Sequence, residues 1–591
     1  MARRDPHSYA DSEQPRTKSI EFSLDVDFDT HVLNGEIALR FDEPGRGPLD
    51  LDTRELMLSR VETLDGEPLR FQVAAPDKVL GARLRIDLPE PVAGVRIRYR
   101  TSPAASALQW LSPAQTAGGK HPFLYSQCQP IHARSLFPMQ DTPGIRVTVG
   151  SATLNVPARL RTLMAAAALG REVAAAGRAI DRFEMPQPIP PYLLAFAVGD
   201  LTPRQLSRRS AVWAERSLAD EAAEEFAGVE DMILAAEELF GPYEWDRYDI
   251  LVMPPSFPYG GMENPRLTFV TPSLLAGDKS LVNVIAHELA HAWTGNLVTN
   301  ASANDFWLNE GFTVYAERRI LEALSGREAS ELHAASGRHE LENALGRFAG
   351  RMELTRLRNE LTGVDPDEVY SNVPYEKGYL LLRKLEETAG RGPFDDFLRA
   401  YIDKFRFRSI VTQDFLDLFE AKLPGVAARA GALAFIDQPG LPEDAPRPRT
   451  ARLEELRALA ARAAQGELPT LVQATRMKPT ELLVYLQSLP GPLQPETVEA
   501  LDQLFGLSKR KSLELRQPFV AVQLRAGMDE GVAGARKLAM ETGRMKYLRP
   551  IFTELVRMRP EVARKIFAEA RAGYHAIARS VIEALLGSAP A

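Results

Sequence analysis

From Ile20 the chain alternates strictly: Ile20, Phe22, Leu24, Val26 and Phe28 are apolar between polar or charged neighbours, and Ile37, Leu39 and Phe41 repeat the pattern. Period-two alternation turns one face of a strand toward a core. The Asn34-Gly35 pair between the two runs predicts a hairpin turn, so the chain is expected to open with antiparallel sheet. Val95, Ile97 and Tyr99, then Val147 and Val149, continue this texture, and the run from Tyr192 to Gly199 reads as a buried strand. The expected first unit is a β-rich domain over residues 1–205.

The texture changes near Ser217. Apolar residues recur at helical spacing from Leu218 to Phe240, where Gly241-Pro242 stops them. Tyr248 to Val252 reads as a strand, Tyr259 to Pro265 as a glycine-containing edge strand or turn, and Val284 to His291 as the next helix. This predicts a mixed α+β unit over 206–436. The proline-rich run from Asp437 to Arg449 cannot continue a helix and reads as a linker, 437–450. From Ala451 onward leucine and alanine keep helical spacing, broken at Leu489-Pro-Gly-Pro492 and Arg516-Gln-Pro518, so 451–591 is expected to be all-α, with stacked helix pairs and no repeat of fixed period.

The chain has 591 residues, 45% hydrophobic and 25% charged, with a formal net charge of -8. That length needs several cores, and that charge gives no overall pull toward nucleic acid. A single cysteine, Cys128, excludes an internal disulfide framework and suits a reducing compartment. The opening stretch has no apolar segment behind its arginines, so no secretory signal is expected, and no uninterrupted apolar run reaches the roughly 18 residues of a membrane span. A soluble, cytoplasmic protein, monomeric and without a nucleic-acid or membrane partner, is the expectation.

The chemistry concentrates in Val284-Ile-Ala-His287-Glu288-Leu-Ala-His291, with Glu310 nineteen positions after His291 in Trp307-Leu-Asn-Glu310-Gly311. Histidines four apart lie on one helix face, so both imidazoles can reach one metal ion while Glu288 projects beside them. Two neutral imidazoles and a carboxylate suit one Zn2+ and leave a fourth position for water, the arrangement of a catalytic site. The expected mechanism is hydrolysis by a zinc-activated water with Glu288 as general base.

These motifs in this order resemble the gluzincin zinc aminopeptidases, most closely the branch of leukotriene A(4) hydrolase and its bacterial aminopeptidase relatives. The resemblance covers nearly the whole length. It implies a saddle-like β-rich first domain, a thermolysin-like zinc domain and a helical-repeat-like last domain, without the β-sandwich that larger relatives insert. It also implies that Gly260-Gly261-Met262-Glu263-Asn264 is the exopeptidase motif, with Glu263 holding the substrate's free amino group and the glycine backbone pairing with the substrate chain. Gln129, in Gln127-Cys-Gln-Pro-Ile-His132, is implied at the amino end as well, although Pro130 stands where relatives carry a small residue; His132 reads as structural. Tyr375, in Ser371-Asn-Val-Pro-Tyr375-Glu-Lys-Gly378, is implied as the donor to the oxyanion.

Three further carry-overs complete the resemblance. Arg544 and Lys546 match residues that grip a substrate carboxylate, which suggests short peptides held at both ends. Asp367 and Tyr370 match positions associated with a lipid epoxide reaction, so a bifunctional enzyme or an epoxide hydrolase is the alternative function. Phe312 departs from the histidine common at that position. A non-catalytic scaffold is the remote alternative, opposed by the six intact residues His287, Glu288, His291, Glu310, Glu263 and Tyr375.

Overall fold

The computed structural model describes residues 5–587. Residues 1–4 and 588–591, and with them part of the opening stretch read for a signal, lie outside the described residues. The first unit is built on an eight-stranded sheet. Thr17–Asp27 pairs antiparallel with Val32–Thr53, and this with Ala82–Arg100; Met57–Thr63 and Phe71–Val73 pair with different lengths of Ala82–Arg100. On the other side Thr17–Asp27 runs parallel to Val147–Pro157, followed by Arg178–Ile189 and Ala167–Val173. The alternation works as expected, since Ile20, Phe22, Leu24 and Val26 are all buried.

The turn lies elsewhere than predicted. Asp27 pairs with Val32, so the chain reverses over residues 28–31, where the Asp27 carboxylate accepts from the amides of Asp29 and Thr30. Asn34 and Gly35 sit within the second strand, opposite Asp25 and Leu24. Gly35 is needed there for a different reason: a Cβ would lie 2.5 Å from the ring of Tyr99 on the next strand.

A four-stranded sheet, Leu108–Leu111, Phe123–Ser126, Phe196–Gly199 and Arg161–Met164, follows. The second unit carries a five-stranded sheet in the order Leu201–Gln205, Ala211–Glu215, Asp249–Val252, Leu267–Val270 and Gly261–Met262, so the strand ending at Gln205 belongs to this sheet. Asp249–Val252 and Leu267–Val270 run parallel to each other and are almost wholly buried, as parallel strands covered on both faces are. Helix Trp307–Ser325 is buried from Trp307 through Leu321 and passes through the middle of this unit. One contiguous apolar core extends from Ile20 to Ala445, so the two units share their interior.

The proline-rich stretch after Asp437 is pinned rather than loose. Lys377 Nζ donates to Gln438 O at 2.8 Å, Gly440 N to Thr355 Oγ1 at 2.7 Å, and Arg338 Nη1 to Pro446 O at 3.1 Å. Beyond it the described residues hold helices and no strand, around two further apolar clusters. The chain breaks at Leu489–Pro492, between helices Pro479–Gln487 and Pro495–Phe505, but Pro518 lies in the interior of helix Leu513–Arg525, which continues through it at the loss of the bond its missing N–H would make. Among the described residues no helix is long and apolar enough to cross a membrane.

Candidate active site

Helix Val282–Ala290 presents His287 and Glu288, with His291 as its C-cap, and helix Trp307–Ser325 presents Glu310 in its first turn. The three candidate ligand atoms form a nearly regular triangle. His287 Nε2 and His291 Nε2 are 3.2 Å apart, and Glu310 Oε2 lies 3.4 Å from the first and 3.5 Å from the second. Bond lengths of about 2.0–2.2 Å to a tetrahedral zinc require edges of roughly 3.3–3.5 Å, so the spacing fits the ion.

The surroundings fit it too. His287 Nδ1 lies 3.1 Å from Glu317 Oε2 and His291 Nδ1 3.0 Å from Thr294 O, contacts that place the ring proton on Nδ1 and leave both Nε2 lone pairs facing inward. Glu310 Oε2 is buried with no hydrogen-bond partner, a costly arrangement that a cation at the centre of the triangle relieves. Burial holds His291 neutral, with its pKa lowered to about 4. At His287 burial also opposes the charge, but Glu310 and Glu317 outweigh it and raise the pKa.

A cavity of about 230 Å3 opens over these atoms, lined among others by Gln129, Gly260, Gly261, Glu263, Glu288, Tyr370, Tyr375, Arg544 and Lys546. Burial pushes the Glu288 carboxyl well above the usual range, opposed by His287 and reinforced by Glu263 and Glu310, and its Oε2 has no hydrogen-bond partner. Burial likewise raises Glu263 to about 7. Gln129 Nε2 donates to Glu263 Oε1 at 3.2 Å, so the amide from the β unit and the carboxylate from the edge strand meet despite Pro130. Asn296 Nδ2 donates to Glu263 O at 2.8 Å and fixes its backbone.

The glycine pair is explained by what lies against it. A Cβ at Gly261 would sit 2.2 Å from Glu288 Oε1, and one at Gly260 would sit 2.6 Å from Arg544 Nη2. Met262 does not join them in the cleft: along a strand successive side chains point oppositely, and its sulfur accepts from Gln127 Nε2 at 3.1 Å in the buried interior.

Tyr375 lies beside the triangle, its ring stacked 6.0 Å from that of His287 and its hydroxyl 3.0 Å from Tyr370 Oη. Asp367 does not line this cavity; it faces an adjoining apolar one, and its Oδ2 lies 2.9 Å from His132 Nε2, which makes His132 a brace. Lys546 is neutralised by Glu340 at 3.0 Å and Glu514 at 2.8 Å. Among the described residues the Arg544 side chain bonds neutral oxygens, Ser273 Oγ and Tyr547 Oη, and its Nε is buried without a partner. Phe312 stacks on Tyr401 with ring centroids 4.6 Å apart, in an aromatic cluster away from the ligand triangle.

Three family models match in succession: the peptidase M1 N-terminal domain over residues 7–193, the peptidase family M1 domain over 225–430, and the leukotriene A4 hydrolase C-terminal domain over 477–586. Leukotriene A-4 hydrolase of Xenopus laevis is 39% identical over 573 residues, covering 93% of each chain. The chain belongs to peptidase family M1. Leucine aminopeptidase 2 of Aspergillus niger is 36% identical, covering 98% of this chain and 97% of its own. The yeast leukotriene A4 hydrolase structure with bestatin superposes with a TM-score of 0.90 at 33% identity, covering 98% and 97%. This M1 peptidase is a zinc aminopeptidase with one catalytic zinc, in the three-part architecture expected from the motifs.

Four residues that brace the M1 site, Glu317, Thr294, Asn296 and Ser273, lie outside its sequence motifs. Glu317 follows Glu310 by seven positions, two turns along the same helix face, so it was discoverable. Thr294, Asn296 and Ser273 were not, because each meets its partner only once separate segments fold together.

Proposed function

We propose that this enzyme removes the first residue from short peptides carrying a free amino terminus. The observation that carries the reading is the meeting of Gln129 and Glu263 at one side of the cavity whose centre is the His287, His291 and Glu310 triangle. A carboxylate set there gains a charge-assisted bond from a substrate ammonium and gives none to a blocked peptide. His287, His291 and Glu310 would hold zinc, which when bound lowers the pKa of water and polarises a carbonyl. Glu288, which lines the cavity beside the triangle with its Oε2 free of partners, takes the proton from the attacking water and returns it to the leaving amine. Tyr375 donates its hydroxyl proton to the developing oxyanion, and Arg544 faces the substrate's terminal carboxylate.

With the amine at Glu263 and the carbonyl at the triangle, the first side chain falls toward the apolar cavity, which shares Gln129, Tyr259 and Tyr370 with the cleft. We place the enzyme in the cytoplasm, a reducing compartment that the lone, buried thiol of Cys128 suits, and take it as a monomer without nucleic-acid or membrane partners. Replacing Glu288 with Gln is expected to leave zinc content at the parent level and remove most turnover of an aminoacyl reporter. Full turnover in that variant, or cleavage confined to amino-blocked peptides, overturns the assignment. A second reading, hydrolysis of a fatty-acid-like epoxide, draws on Asp367 and Tyr370 facing the apolar cavity and on the Xenopus relative. Product analysis with Asp367→Asn separates the two.

A further inference from the structure

Residues 5–10 precede the first strand and join no sheet, yet they are firmly held. Asp5, His7 and Ser8 are 5%, 1% and 0% exposed. Arg134 Nη2 donates to His7 O at 2.7 Å, Ser8 Oγ to Asp52 Oδ2 at 2.6 Å, Tyr9 N to Asp52 Oδ1 at 2.8 Å, and Thr142 Oγ1 to Asp5 Oδ2 at 2.6 Å. Arg134 is itself fully buried and pairs with Asp141 at 3.0 Å. Buried charges persist only where their bonding capacity is met, and the backbone of His7 supplies part of what Arg134 needs.

This segment reaches the apolar cavity beside the cleft. The cavity measures about 80 Å3, with Ile131, Phe306, Trp307 and Leu357 among its walls. Gln129, Tyr259 and Tyr370 line both this cavity and the cleft and so join the two, whereas Asp5 and His7 line the apolar cavity and not the cleft. The His7 ring lies there with Nε2 2.9 Å from Val364 O, in the loop that leads to Asp367 and Tyr370. A ring anchored at both its backbone and its tip is a fixed boundary.

We propose that the 5–10 segment, through Asp5 and His7, walls the pocket for the substrate's first side chain where it does not meet the cleft, and that His7 sets the pocket's depth. The proposal rests on the aminopeptidase reading of the cleft. It makes the amino-terminal segment, remote in sequence from every motif of the site, a determinant of specificity. Side chains that fit short of His7 are accepted; bulkier ones meet the imidazole.

The test compares kcat/KM for 2-naphthylalanyl and alanyl amide reporters in the full-length enzyme, with zinc content and melting temperature recorded alongside. His7→Ala is expected to raise the naphthylalanyl-to-alanyl ratio at least threefold. An unchanged ratio in a zinc-loaded variant that melts with the parent overturns the wall and leaves the aminopeptidase reading intact. Failure of the parent to cleave either reporter overturns both. If His7→Ala melts early or loses zinc, His7→Phe carries the test with the opposite sign: the ratio must fall at least threefold, and a parental ratio sinks the proposal.

Discussion

At the scale of single residues, two carboxylate oxygens of the site are left without partners. Glu310 Oε2 and Glu288 Oε2 are both buried and unbonded, while the outer Nδ1 atoms of His287 and His291 are engaged by Glu317 and Thr294. The Tyr375 hydroxyl is the other poised group, bonded to Tyr370 and adjacent to the ligand triangle. A donor aimed where charge develops contributes about 2.7–4 kcal/mol to the barrier. Tyr375→Phe should therefore lower kcat by roughly 100- to 1,000-fold with KM nearly unchanged, measured on one reporter at zinc saturation. An equal loss in binding would instead make the hydroxyl a ground-state contact. His287, Glu288, His291 and Glu310 were legible because helix geometry alone brings together residues four apart, and the second motif follows closely. The neutralisation of Lys546 was not legible, since Glu340 and Glu514 come from separate helices.

At the scale of elements, two motifs read separately in sequence turn out to be halves of one contact. Gly311 follows Glu310, Gly378 closes the tyrosine motif, and a Cβ at Gly311 would lie 2.7 Å from Gly378 Cα and 3.1 Å from Pro374 O. Helix Trp307–Ser325 and the segment bearing Tyr375 thus touch backbone to backbone, which sets the spacing between Glu310 and the proposed oxyanion donor Tyr375. Backbone cannot rotate out of the way, so Gly311→Ala should cost about 1–3 kcal/mol of stability and weaken zinc retention and turnover together. Gly346→Ala, on helix Arg327–Arg347 with open space around the new methyl, should be neutral or slightly stabilising. Thermal melts and zinc retention under dialysis check both, and a Gly311→Ala enzyme with parental values would remove the contact's importance. Periodicity revealed the strands and helices themselves. It misplaced the first turn because Asn34-Gly35 serves to pass Tyr99, not to reverse the chain, and local pattern carries no information about a neighbour's ring.

At the scale of the whole molecule, the cleft draws one wall from each unit: Gln129 from the β unit, the ligand triangle from the second, and Arg544 from the helical unit. The helical unit is clamped onto the loop that precedes the glycine motif. Gly543 N donates to Pro255 O at 2.7 Å and Met545 N to Pro258 O at 2.9 Å, which lays the Arg544 guanidinium over Gly260. With Lys546 already paired, the proposed grip on a substrate carboxylate falls to Arg544, and on that proposal its distance from Glu263 limits the peptides that satisfy both ends. A hydrogen bond to a charged group contributes about 1.5–3 kcal/mol, or roughly ten- to hundredfold. Arg544→Ala is expected to lower kcat/KM for a free tripeptide by that factor, with much less effect on an aminoacyl amide reporter that has no carboxylate. Arg544→Lys should recover only part of the loss, because a point charge cannot make two parallel bonds. Equal losses on tripeptide and reporter would instead show that Arg544 serves to seat the helical unit against Gly260, and would remove the basis for the proposed preference for short peptides.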